Sequence, residues 1–372
     1  MRAAVLSATA AATDRLAGAG LPGAKAIGAT PEQIAAETAA SRYVVDGRFT
    51  NLDPMGAAAG VPVGAVGDMI RRPGRPTGPI MVSTPDFAPR PRPLAATWLG
   101  HATALVELDG VRILTDPVFS RRASPSQLVG PARMHPAPVE VADLPPIDVV
   151  LISHDHYDHL DTASVVALAH TQPTAVFVCP LGVGAHLRAW GIEAERIRLA
   201  DWHGEVQAAG LRFVAVPARH FSGRGLERNL TLWASWAVIG PQHRMFFSGD
   251  TGFSESFEDV GAAHGPFGLT LIAIGAYDPL WPDIHVNPEE AVTIHRMLTR
   301  GEDGLLLPLH WGTFNLARHT WGEPAARLIH AAQGRAGQSA SAIVIPQPGG
   351  EIDVTHRTGT ATVAPDWWKE SA

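Results

Sequence analysis

Three imidazoles and the carboxylate of Asp158 fall within six positions, 154–159, in Ser153-His154-Asp155-His156-Tyr157-Asp158-His159-Leu160-Asp161. Neutral imidazole and ionised carboxylate are the ligand types that a divalent zinc-like ion prefers. In a loop leaving a strand, His154 and His156 can face one side while Asp158 and His159 face a neighbouring one, which makes two adjacent half-sites. A lone histidine in a polar loop is more often a surface residue. The H-x-H-x-D-H spacing after an apolar strand is poorly explained that way. Three further ligand types stand at strand ends: His220 in Pro217-Ala218-Arg219-His220, Asp250 in Ser248-Gly249-Asp250-Thr251-Gly252, and His310 in Leu309-His310-Trp311-Gly312. Two adjacent dications would lower the pKa of a water and absorb developing charge, which is hydrolytic chemistry without a side-chain nucleophile. No serine or cysteine nucleophile motif accompanies them.

The elements that must position these residues follow from periodicity and turn signals. Ile147 to Ser153 is a short apolar run of the buried-strand kind, leading into the cluster. Thr97 to Leu108 and Val111 to Thr115 flank Asp109-Gly110 and form a hairpin. Further strands are expected at Ala175 to Cys179, Leu211 to Val216, Leu230 to Ile239, Arg244 to Ser248, Leu269 to Ile274 and Gly304 to Leu309. Helices are expected from Thr30-Pro31 to about Ser41, after Asp161-Thr162, near Leu181 to Trp190, and at Pro288 to Thr299. The last opens with Asn287 as cap, then proline, then two acids. Strands in runs with helices between them imply stacked sheets flanked by helices.

Composition sets the outer bounds. The 372 residues are 46% hydrophobic and 17% charged, a globular composition. The net charge of -7 without a basic run argues against nucleic acid as a partner. One cysteine, Cys179, allows no internal disulfide, and its apolar surroundings make it a buried thiol. The apolar stretch from Met1 to Ala12 is cut by Asp14 and Arg15, so it is a weak leader, and a cytoplasmic location is expected. Peripheral membrane contact stays open. Residues 1–94 are expected to be a helix followed by a Pro-rich arm lying on the body, 95–350 the catalytic body, and 351–372 a tail.

The order of a histidine cluster, a histidine, an aspartate and a histidine resembles the metallo-β-lactamase superfamily. That implies an α+β fold, a four-layered αββα sandwich. It further implies one metal on His154, His156 and His220, a second on Asp158, His159 and His310, and Asp250 bridging them. The likeness narrows to the N-acylphosphatidylethanolamine-hydrolysing phospholipase D family through Trp98-Leu99-Gly100-His101-Ala102-Thr103, Thr115-Asp116-Pro117-Val118-Phe119, Arg122-Ala123-Ser124-Pro125-Ser126-Gln127, Leu144-Pro145-Pro146-Ile147-Asp148, Leu232-Trp233-Ala234-Ser235-Trp236 and His310-Trp311-Gly312-Thr313-Phe314. It implies two Zn2+ per chain, catalytic roles for Asp158, Asp250 and His285, and phosphate contacts from Tyr157 and His285. A homodimer is implied by the resemblance alone. Mammalian members carry Gln before the histidine that His285 matches, where this chain has Ile284. The expected substrate is an N-acylated phospholipid or another small molecule, and the alternative is a β-lactam or lactone. Asp116 and His101 are expected behind the ligands. Asp161 is expected either there or as a helix cap. Trp202, Trp281 and Trp311 are candidates for an apolar entrance, with a core role expected for any one of them.

Overall fold

The computed structural model describes residues 24–56, 74–225, 227–333, 343–355 and 367–371. The stretch from Met1 to Ala12, Pro62 and Pro73 lie outside them. Two mixed sheets are stacked. The first has seven strands: β1 (Leu94–Gly100), β2 (Thr103–Leu108), β3 (Val111–Thr115), β4 (Val149–Leu151), β5 (Val176–Pro180), β6 (Ile197–Ala200) and β13 (Glu351–Asp353), in the order β13-β1-β2-β3-β4-β5-β6. The second has six: β7 (Glu205–Ala208), β8 (Leu211–Pro217), β9 (Ala234–Ile239), β10 (Arg244–Phe247), β11 (Leu269–Ala273) and β12 (Leu305–Leu309), in the order β12-β11-β10-β9-β8-β7. In each sheet one run is antiparallel and the other parallel, β3 to β6 in the first and β10 to β12 in the second.

Side-chain alternation puts each sheet between two apolar layers. Val149 and Leu151 face the inter-sheet core with Phe213, Trp236, Phe246 and Leu271. Val150 and Ile152 face the other way, in a layer with Leu160, with Val165 and Leu168 of helix α2 (Thr162–Thr171) and with Val183 and Leu187 of α3 (Val183–Ala189). Helices α4 (Ser256–His264), α5 (Pro288–Thr299) and α6 (Glu323–Gln333) supply Phe257, Val292 and Leu328 to the large core on the second sheet. The four layers are thus αββα, the sandwich that the residue pattern implies.

Local chemistry explains the boundaries. The Asn287 side chain accepts from Glu290 N while the Glu290 carboxylate accepts from Asn287 N, with Pro288 next, so α5 starts where capping satisfies its free N–H groups. The expected strand from Thr97 to Leu108 is two strands. Gly100 and His101 both have positive φ, at 106° and 54°, and fold the chain back on itself. The strand expected from Leu230 begins only at Ala234. Strands β6 and β7 and helices α4 and α6 were not anticipated. The N-terminal segment forms helix α1 (Pro31–Thr38) and then a two-stranded ribbon, Val44–Val45 with Arg48–Phe49. The residues expected as a tail from 351 instead add edge strand β13, and Trp367 and Trp368 pack against Trp311 in the core.

Trp236 fastens the two sheets at the working edge. It stands on β9, is fully buried, and its indole N–H donates to Ile152 O at the end of β4 at 3.0 Å. Replacing Trp236 with Ala should cost about 3–5 kcal/mol of stability, from lost packing and the cavity left behind. Trp236→Phe should cost about 1–3 kcal/mol, because Ile152 O loses its donor. Denaturant titration of both variants checks this, and a Trp236→Phe variant as stable as wild type would mean that the hydrogen bond to Ile152 O contributes nothing.

Candidate metal centre

All the candidate ligands lie at one edge of the sandwich. β1, β3 and β4 end there in the first sheet, and β8, β10 and β12 in the second. His101 follows β1, Asp116 follows β3, the 154–159 cluster follows β4, His220 follows β8, Asp250 follows β10 and His310 follows β12. His285 comes from the loop before α5. Two groups of donors converge. One joins His154, His156, His220 and Asp250; the other joins His101, Asp158, His159 and His310.

Outer hydrogen bonds fix which ring nitrogens point inward. Asp116 is fully buried; its Oδ1 accepts from Ser153 N at 2.7 Å and its Oδ2 from Ser153 Oγ at 2.5 Å. With its proton on Asp116, Ser153 Oγ can only accept from His154 Nδ1, 2.9 Å away. His154 Nε2 therefore carries a lone pair. Asp116 Oδ2 also takes His159 Nδ1 at 2.6 Å, and Ile284 O takes His220 Nδ1 at 2.9 Å. Both Nε2 atoms are freed in the same way.

The inward atoms crowd one another. His156 Nδ1 lies 2.9 Å from His154 Nε2 and 3.3 Å from His220 Nε2. His159 Nε2 lies 3.0 Å from His310 Nε2 and 3.1 Å from Asp250 Oδ2. Asp250 Oδ2 also stands 3.7 Å from His220 Nε2 and 4.0 Å from His154 Nε2, while its Oδ1 is 3.2 Å from His310 Nε2 and has no hydrogen-bond partner among the described residues. Asp250 thus touches both groups. Converging lone pairs around a shared carboxylate suit cations, so the donor set fits two divalent ions.

The remaining expectations fall out as follows. Asp116 stands behind the ligands. His101 comes closer than expected: its Nε2 is 3.1 Å from Asp158 Oδ2, and its ring centroid is 4.0 Å from that of His310. Asp161 caps α2 by accepting from Ser164 N and takes no part in the centre. The Tyr157 hydroxyl donates to Arg224 O at 2.7 Å, and its ring lies under the Arg224 guanidinium at 4.2 Å. The proton that Tyr157 could offer a phosphate is therefore engaged with the main chain. Trp202 and Trp311 are buried in the core, and Trp281 is half-buried with its N–H on Ala276 O. Cys179 is buried. Ser153, Arg224 and Asn51 were not singled out from the sequence. Ser153 abuts the cluster and was findable; the other two carry no local signal.

The two groups differ in charge. Burial and the neighbouring imidazoles hold His154 well below the usual histidine range. Burial, partly opposed by Asp250, does the same to His220. In the other group burial is overcome: Asp250 and Asp158 lift His159 well above its ordinary value and hold His310 at about 9. Without metal, the three histidines of the first group are neutral, whereas in the second His159 and His310 hold a proton beside ionised Asp158 and Asp250, His159 on the inward Nε2 where an ion would displace it. His310 thus adds stability to the metal-free fold that is complete below pH 6.5 and is lost as pH rises through about 9. One metal equivalent should bind at pH 7.5 with little proton release. The other should expel protons and bind more tightly as pH rises toward 9. Calorimetric titration in buffers of different ionisation enthalpy measures this, and equal release by both equivalents would sink the asymmetry.

A family model described as "Beta-lactamase superfamily domain" matches residues 111–311. An uncharacterized protein of Mycobacterium tuberculosis is 49% identical over 361 residues, covering 93% of this chain and 94% of that one. The N-acyl-phosphatidylethanolamine-hydrolyzing phospholipase D 1 of Caenorhabditis elegans is 42% identical over 232 residues, 59% of this chain and 64% of that one. Among solved structures, an isothiocyanate hydrolase from Delia radicum gut bacteria superposes with a TM-score of 0.54 at 20% identity, covering 70% of this chain and 98% of that one, which is a likeness of fold.

Proposed function

From the premise that this chain belongs to the metallo-β-lactamase superfamily, as a metal-dependent hydrolase resembling the phospholipases D that act on N-acylphosphatidylethanolamine, we propose that it is a binuclear zinc phosphodiesterase acting on such N-acylated phospholipids. The observation that carries this reading is the locked tautomer pattern, which aims the lone pairs of His154, His159 and His220 inward around Asp250. When bound, two divalent ions supply an acidified water and charge to oppose that developing on phosphoryl oxygens. His154, His156 and His220 would hold one ion, Asp158, His159 and His310 the other, with Asp250 between them.

His285 would meet the substrate. Its Nδ1 stands 3.8 Å from Asp250 Oδ2, and burial, partly opposed by Asp250, lowers its pKa to about 4. The ring is neutral at pH 7 and can donate one N–H to a phosphoryl oxygen. It lines a cavity of about 370 Å3 with Tyr277, Asp278, Arg318, His319 and Glu323. The charged and hydrogen-bonding side chains among its walls suit the head-group side of a phosphodiester. Tyr157, with its hydroxyl proton on Arg224 O, would contribute by holding the ligand loop and could only accept from the substrate.

Among the described residues no helix is long and apolar enough to cross a membrane. A lipid substrate would be met by peripheral contact at the bilayer surface. Leu52 and Met55, just past the residue that touches His220, are 49% and 40% exposed and offer apolar contact there.

Mass spectrometry of zinc-loaded protein on N-acylphosphatidylethanolamine vesicles tests the substrate. Wild type should release N-acylethanolamine and phosphatidic acid. Asp250→Ala should lower kcat/KM by about 10³-fold or more, in the range of losing a main charge-stabilising group. His285→Ala should lower it by about 10²-fold while both ions stay bound. An intact lipid in the presence of two bound ions would end the phospholipase reading, and β-lactam and lactone rings would then be tried on the same preparation.

A further inference from the structure

The superfamily match begins at residue 111, yet a residue far upstream grips one of the candidate ligands. Asn51 lies just beyond the two-stranded ribbon of the N-terminal segment. Its amide nitrogen donates to His220 O at 2.7 Å, and its Oδ1 accepts from His220 N at 3.0 Å. Both main-chain groups of His220 are therefore held by one side chain. The same Oδ1 accepts from the Trp233 indole at 3.1 Å, and that indole also donates to Ala218 O at 2.9 Å, two residues before His220. Asn51 is in turn braced on both sides. Phe49, fully buried, donates its N–H to Asn229 O at 2.8 Å, and Pro54 O accepts from Arg219.

Such a clamp has a defined effect. His220 is in an irregular stretch after β8, where no ladder partner fixes its N–H and C=O. An irregular segment has many backbone conformations, and ordering it costs about 1–2 kcal/mol per residue. Asn51 fixes the peptide planes on either side of the His220 Cα, while Ile284 O fixes the ring through Nδ1. Backbone and side chain are then both set before any cation arrives. His220 belongs to the group with His154 and His156, not to the group of Asp158, His159 and His310. Asn51 should therefore act on one half of the centre only.

We propose that Asn51 is a positioning residue that pre-orders His220, so that the N-terminal segment is a working part of the metal centre. The proposal rests on the two-ion reading above. The test is Zn2+ binding to metal-free protein, read by competition with a chromogenic chelator, for wild type, Asn51→Ala, His220→Ala, the double variant and Arg48→Ala. Arg48 pairs with Glu227 at the surface, so Arg48→Ala loosens the same segment without touching His220. Wild type should bind two equivalents. Asn51→Ala should weaken one equivalent by about 10- to 100-fold, the usual effect of losing a group that orients a ligand, and leave the other within about 3-fold. Adding Asn51→Ala to His220→Ala should change little further, because the two act on the same ion. Arg48→Ala should leave both equivalents unchanged. Asn51→Asp, which keeps the two acceptances but cannot donate to His220 O, should fall between Asn51→Ala and wild type. Equal weakening of both equivalents, full additivity with His220→Ala, or wild-type binding by Asn51→Ala would each overturn the proposal. A wild type that binds fewer than two ions would instead strike at the two-ion reading beneath it.

Discussion

One buried carboxylate sets the chemistry of this edge. Asp116 sits on a residue of positive φ, fully enclosed at the end of β3, with three donors on its two oxygens. Through Ser153 Oγ it dictates the tautomer of His154, and directly it dictates that of His159. Those two rings lie in different halves of the centre. A group buried this deeply is costly unless every lone pair is used, and here the donors come from the start and the end of one short loop. In the arrangement that satisfies all three of these bonds, the inward nitrogens of both rings point into the centre. The mixed sheets serve this contact by placing the end of β3 beside the end of β4 in parallel register.

How much of this was legible follows from where the information sits. The histidine cluster is contiguous, so its donor types could be read directly. His220, Asp250 and His310 each follow a short apolar run and were readable as strand-end residues; their convergence was readable only through the order of the motifs. The sandwich follows from the same strands. The hairpin turn at His101 was hidden because Gly100 and His101 interrupt an otherwise continuous β pattern with backbone angles that the pattern does not encode. Strand β7 was hidden because Glu205-Val206-Gln207-Ala208 alternates over only four residues, with the small Ala208 as its sole buried position. The role of Asn51 was invisible for a different reason. It lies 169 positions from His220 in sequence, and a single amide in an irregular segment carries no periodicity.

On the proposed lipid reading, the cavity beside His285 and the apolar residues past Asn51 would divide the labour of recognition. Arg318 is bidentate on Asp278, and Arg327 pairs with Glu289, so the cations of the cavity are already matched and the walls are held rigid. Rigid, paired walls discriminate by hydrogen-bond complementarity and offer little net charge for steering. Attraction to an anionic substrate such as the proposed phosphodiester would be left to bound ions and to the histidines around Asp250.

The split origin of the ligands has a consequence for how the chain assembles. The 154–159 cluster, with His101 beside it, follows strands of the first sheet, and His220, Asp250 and His310 follow strands of the second. Neither sheet alone closes a coordination sphere. Ions bound as proposed would therefore favour the state in which both sheets have docked, and mass action would add their binding energy to that step. An ion held by a half-assembled chain would meet only the contiguous donors between 154 and 159. Pairing of the two halves is non-local, so a complete pair of coordination spheres would form only late in folding, and free metal would then favour the finished fold.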